Sequence, residues 1–162
     1  MNRRRFACRC SLPVENHVGV LLAWSRDGNR LMAAMRDGSL RWWNVPDGTL
    51  ARTFPAVAVR ASVVAFREGG REFLVACADG TVFVRDGEDG KCSYNKTLDH
   101  AAGTKLTISA VAADRSGSRV VFVEEEGQTH LVAVGEARPK KLAGARLYGA
   151  RELAFLSDGN RV

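Results

Sequence analysis

Apolar residues along this chain come in short runs separated by polar stretches that carry glycine. The first cycle is GVLLAW (19–24), a turn at Arg26-Asp27-Gly28-Asn29, RLMAAM (30–35) and a turn at Asp37-Gly38. SLRWWNV (39–45), a turn at Pro46-Asp47-Gly48 and TLARTF (49–54) complete it. Asp-Gly and Gly-Asn turns suit tight hairpins, because glycine takes positive φ without a Cβ clash. The cycle therefore predicts four antiparallel strands. LLAW, SVVAF and FLVAC are apolar at consecutive positions, which predicts strands buried on both faces. No stretch shows a capped helical period.

The cycle repeats. LLAWSRDGNRL (21–31), VVAFREGGREF (63–73), AVAADRSGSRV (110–120) and ELAFLSDGNRV (152–162) share an apolar run, a glycine turn, an arginine and an apolar residue. Trp24, Phe66, Ala113 and Phe155 hold the same place, at spacings of 42, 47 and 42 residues. MRDGSLRWWNV (35–45) aligns with CADGTVFVRDG (77–87), so Asp79-Gly80 stands 42 residues after Asp37-Gly38. A third copy, EEGQTHLVAVG (125–135), has Glu126-Gly127 there. Four-stranded units of about 40–45 residues, each needing neighbours to bury its faces, describe propeller blades.

At this point the chain resembles the WD-repeat (WD40) family of β-propellers. LLAWSRDGNRLMAAMRDGSLRWWNVPDGTL follows the family pattern closely, with Trp43-Asn44 in the Trp-Asp position. His17 stands near the opening Gly-His, although Asn16 replaces the glycine, and His100 holds a similar place after Asp99. The resemblance implies a buried network of Asp, His, Ser/Thr and Trp within each blade. Asp37, His17 and Trp43 supply three members, while LMAAM offers no Ser/Thr and Arg85 replaces the second tryptophan. Partly satisfied networks are costly, so packing is expected to dominate. Trp42 and Trp43 should point to opposite faces of their strand and fill space between neighbouring blades.

The expected fold is all-β, an incomplete propeller of four-stranded blades at 18–58, 59–104 and 105–148, with a partial fourth at 149–162. Residues 1–17 form a basic segment, either a closing strand or a tail. Three units and a fragment do not close a ring of about 4–8 blades. Further blades are expected from a longer chain or from other copies.

Composition narrows the functional classes. Of 162 residues, 46% are hydrophobic and 16 are glycine, a globular, turn-rich composition. The net charge of +6 comes from residues 1–17 and 135–151, which carry +3 and +4, less the −1 of the last eleven residues. Solvated segments account for both, and charge alone is a weak argument for nucleic acid. Cys8, Cys10, Cys77 and Cys92 lack metal or disulfide spacing and fit a reducing, cytoplasmic setting. Arg3-Arg4-Arg5-Phe6 resembles a twin-arginine export signal, but Arg9, Glu15 and His17 interrupt the apolar stretch such a signal needs. No run of 18 apolar residues is present, so no membrane helix is expected.

No nucleophile-elbow, phosphate-loop or His-Glu-x-x-His motif occurs. His17, His100 and His130 are scattered, and Glu124-Glu125-Glu126 is expected to be a solvated charge run at a hairpin. Asp37 and Asp79, one blade apart, are structural turn residues in this reading. No catalytic residue, cofactor or metal is assigned. The resemblance implies a non-enzymatic platform for protein partners, with Asp86–Lys91 and Gly135–Lys141 as candidate loops and Arg138, Lys140 and Lys141 as contacts. Two other classes stay open. One is the accessory propeller of a peptidase or kinase, and the other is a ribonucleoprotein scaffold.

Overall fold

The computed structural model describes residues 19–57, 59–97, 107–136, 140–142, 146–148 and 153–155. His17, His100 and Arg138 lie outside them. The first sheet is β1 (Gly19–Trp24), β2 (Arg30–Met35), β3 (Leu40–Asn44) and β4 (Thr49–Phe54). The second is β5 (Ala61–Phe66), β6 (Glu72–Cys77), β7 (Thr81–Asp86) and β8 (Cys92–Thr97). The third is β9 (Ile108–Ala113), β10 (Arg119–Glu124), β11 (Thr129–Ala133) and the short β12 (Lys140–Lys141). Each sheet is an antiparallel meander in chain order. The innermost strands stand side by side, β1 against β5 and β5 against β9. This is a run of propeller blades, and the described sheets do not close a ring.

The hairpins form as the turn residues dictate. Asp37 accepts hydrogen bonds from the Ser39 N–H at 2.9 Å and the Ser39 hydroxyl at 2.6 Å. Gly38 takes φ +84° beneath the Val57 carbonyl, where a Cβ would stand 2.9 Å from that oxygen. Asp79 repeats the device with the Thr81 N–H at 2.9 Å. Even the irregularities repeat. Bulges fall at Gly19/Leu21 and Ala61/Val63, and again at Trp42/Trp43 and Val84/Arg85. A bulge re-aims the strand at a fixed point, so blades one and two share backbone as well as sequence.

The core lies between sheets. Met32, Ala34, Leu40, Trp42 and Phe54 of the first sheet pack on Val64, Phe66, Phe73, Val75, Cys77 and Phe83 of the second. Trp42 sits edge-on to Phe66 at 5.0 Å and to Phe73 at 5.9 Å. The opposite face of the second sheet, with Leu74, Ala76, Val82 and Val84, packs on Val120, Phe122 and Val132 of the third. Strand β6 is thus buried on both faces, as its unbroken apolar run predicts. Trp42 fills the space between blades. Trp43 lies on the far face of the first sheet, clustered with Ala33 and Met35 and only 1% exposed.

Two expectations are corrected. The acidic triplet is not uniformly solvated: Glu125 and Glu126 are exposed, but Glu124 is 4% exposed and its Oε1 pairs with His130 Nε2. Alternation along β10 puts Glu124 on the inner face with Val120 and Phe122, where a lone carboxylate would be costly and a partner is required. Lys140 and Lys141 are not loop residues. They form β12 opposite Leu131 and His130, with both side chains exposed.

Candidate interaction surface

The turns that leave the innermost strands line up along one end of the blades. In the first, Ser25 donates to Asp27 Oδ1 at 2.6 Å and accepts the Arg30 N–H at 2.9 Å. The hydrogen bonds from Ser25 and Asn29 hold the exposed Asp27 carboxyl below its ordinary pKa. In the second turn, Arg67 pairs with Glu72 at 2.8 Å. In the third, the buried Asp114 carboxylate accepts the N–H groups of Ser118 at 2.8 Å and Arg119 at 3.0 Å, the Ser116 hydroxyl at 2.9 Å, and Arg119 Nε at 3.1 Å.

Each turn is also tied to the next. Arg30 Nη1 donates to the Gly70 carbonyl at 2.8 Å, and the Glu68 N–H to the Ser116 carbonyl at 3.1 Å. Arg26 and Glu68 stand 3.5 Å apart, an exposed pair worth little by itself. One side-chain link and one backbone link thus tie the three turns into a row.

A cavity of about 300 Å³ opens along this row, lined by Trp24, Arg26, Phe66, Arg67, Arg115 and Ser116 among others. Trp24 is 57% exposed. Its counterpart one blade on, Phe66, is buried against Trp42. Arg67 is held by Glu72 and Arg26 by Glu68. Arg115 is exposed and makes no ion pair among the described residues. The surface therefore offers one indole face and one uncommitted guanidinium on a fixed frame. Such a pair suits an apolar or aromatic group beside a carboxylate.

The residues singled out from sequence do not converge here. Asp37-Gly38 and Asp79-Gly80 hold hairpins at the opposite end of the sheets, and Lys140 and Lys141 lie on the outermost strand of the third blade. Loop Asp86–Lys91 is folded on itself: Asp86 accepts the Glu88 and Asp89 N–H groups and pairs with Arg71 at 2.5 Å. The turn row was marked in the sequence only by the repeat position of Trp24, Phe66 and Ala113. Among the described residues no group of three His, Cys, Asp or Glu is placed to hold a metal ion, and no helix is long and apolar enough to cross a membrane.

No protein-family model matches the chain. Human angio-associated migratory cell protein is 26% identical over 137 residues, a match covering 81% of this chain and 31% of that protein. Among solved structures, the β-propeller domain of Cps50 (Swd1) from Myceliophteria thermophila superposes with a TM-score of 0.62 at 16% identity, covering 80% of this chain and 44% of that one. The chain thus spans about a third of the curated relative and under half of the solved domain. Repeat signature, four-stranded blades and a propeller counterpart agree: this chain resembles the WD-repeat β-propellers in both sequence and fold.

Proposed function

We propose that these blades belong to a non-catalytic scaffold that binds protein partners, and that the row of turns at Trp24, Arg26 and Arg115 is a contact surface. The observation that carries this reading is the exposed Trp24 indole and the uncommitted Arg115 lining one cavity, on turns tied together by the Arg30 guanidinium and a backbone hydrogen bond. Indole and guanidinium groups are favoured anchors at interfaces, and a rigid frame spares the partner the entropy of ordering the surface. The fold likeness supports a scaffold in general terms. The free thiols of Cys77 and Cys92 suit a reducing compartment such as the cytoplasm. Lys140 and Lys141, exposed on β12, with Arg138 nearby in sequence, form a second candidate contact.

The test is affinity capture with the full-length protein, comparing wild type, Trp24→Ser with Arg115→Glu, and Lys140→Glu with Lys141→Glu. A partner retained by wild type and lost from the Trp24/Arg115 variant, with thermal stability unchanged, is the expected result. Equal retention by all three would remove both surfaces from the reading.

A further inference from the structure

Arg85 stands where the repeat places Trp43. The two are 42 residues apart, and both follow the bulge in the third strand of their blade. In blade one the tryptophan is fully packed, clustered with Ala33 and Met35. In blade two the matching face packs on blade one through Val75, Cys77 and Phe83, but at its outer end Arg85 leaves the tryptophan's space open. A groove of about 330 Å³ runs there, between Ala56, Val57 and Val59 on one side and the outer strands β7 and β8 on the other.

The chemistry of the groove is ordered along its length. Its apolar part is Val57, Val59 and Phe83. At one end the Arg85 guanidinium lies over the Phe83 ring, 5.4 Å from its centroid. Its Nε is buried without a hydrogen-bond acceptor, and no carboxylate forms an ion pair with it among the described residues. At the other end is Asp79, which accepts only the Thr81 N–H among the described hydrogen bonds. The five strand residues Thr81 to Arg85 span roughly 13 Å, and Asp79 lies in the turn two residues before them, so the two charges sit at opposite ends of the groove and form no ion pair. With no carboxylate of the described residues paired to it, the part-buried guanidinium offers its remaining N–H groups to an acceptor in the groove.

We propose that this groove binds an extended segment of a partner protein carrying an acidic, an apolar and a basic side chain at alternate positions. Side chains at i, i+2 and i+4 of a strand point the same way and span roughly 13 Å, the length of the Thr81–Arg85 strand along which Arg85, the Phe83 and Val57 floor, and the Asp79 end follow one another. The proposal rests on the reading that the blades serve as a protein scaffold. It uses a different surface from the turn row, so the two can fail separately.

The probes are two fluorescein-labelled octapeptides, Ser-Glu-Ser-Leu-Ser-Lys-Ser-Gly and its charge-swapped form with Lys first and Glu third in the motif. Binding to the full-length protein is followed by fluorescence anisotropy. One orientation is expected to bind, with affinity falling at least tenfold in Arg85→Gln. Arg85→Trp restores the repeat tryptophan and fills the groove, and it is expected to abolish binding while keeping or raising the melting temperature. Trp24→Ser should leave peptide binding unchanged. Binding of neither peptide at millimolar concentration, or equal binding to wild type and Arg85→Gln, would overturn the proposal. Should Arg85→Trp fail to fold, the shorter, uncharged Arg85→Gln decides alone.

Discussion

A Cβ placed on Gly87 would stand 2.0 Å from two atoms of the Trp42 indole. Gly87 opens the loop after β7 in blade two, while Trp42 belongs to β3 of blade one. The loop is pinned there by the Gly87 N–H, which donates to the Arg71 carbonyl at 2.9 Å. No positive φ demands glycine at this position; the approach of the ring does. We expect Gly87→Ala to destabilise by about 1–3 kcal/mol, the usual range for overpacking. Trp42→Phe in the same chain should recover part of that loss, because neighbours in contact are not additive. Thermal unfolding of the two single variants and the double variant checks this.

Trp43 presents a different imbalance. Its indole N–H is buried with no acceptor among the described residues. Leu31 pairs with Trp43 and Ala33 with Arg41, so Ala33 is diagonal to the indole on one face. Ala33→Ser adds a hydroxyl on the face that carries the indole. The expected gain is about 0.5–1.5 kcal/mol, the net value of one hydrogen bond. In a Trp43→Phe background the same serine should destabilise instead, having no partner. A double-mutant cycle by denaturant unfolding measures the sign.

Asp114 couples the third turn to pH. Burial pushes its pKa up, but hydrogen bonds from the Arg119 backbone and side chain, Ser116 and Ser118 outweigh that and leave it lowered. A carboxyl lowered on folding contributes stability above its unfolded pKa and loses it as pH falls through the folded value. Asp114→Asn should therefore be less stable at pH 7 by about 1–3 kcal/mol, the range for losing charged hydrogen bonds. The gap should shrink below about pH 4, the ordinary range for aspartate. Unfolding curves between pH 7 and pH 2 give the comparison.

The two described cysteines should behave oppositely toward alkylation. Burial, with a smaller contribution from the Asp79 charge, pushes the Cys77 thiol up to about 11. Cys92 is exposed. Because the thiolate is the nucleophile, iodoacetamide at pH 8 should label Cys92 in the native protein and Cys77 only after denaturation. Peptide mass mapping reads both sites.

Much of the blade was legible in the residues themselves. The runs GVLLAW, RLMAAM and TLARTF coincide with β1, β2 and β4, and SLRWWNV contains β3, trimmed to Leu40–Asn44. Strand length and hairpin position are local properties, set by where Asp-Gly and related turns reverse the chain, and the repeat spacing carries them from blade to blade. The burial of both faces of β6 was equally legible, since an unbroken apolar run leaves no face for water. Only the tertiary structure decided the burial of Glu124 against His130 within blade three and what lies between blades: the closing of Gly87 over Trp42, the alignment of three turns around Trp24 and Arg115, and the groove beside Arg85. The features between blades depend on distances between residues tens of positions apart. Those distances are fixed by how whole sheets stack, and that leaves no periodic mark on the chain.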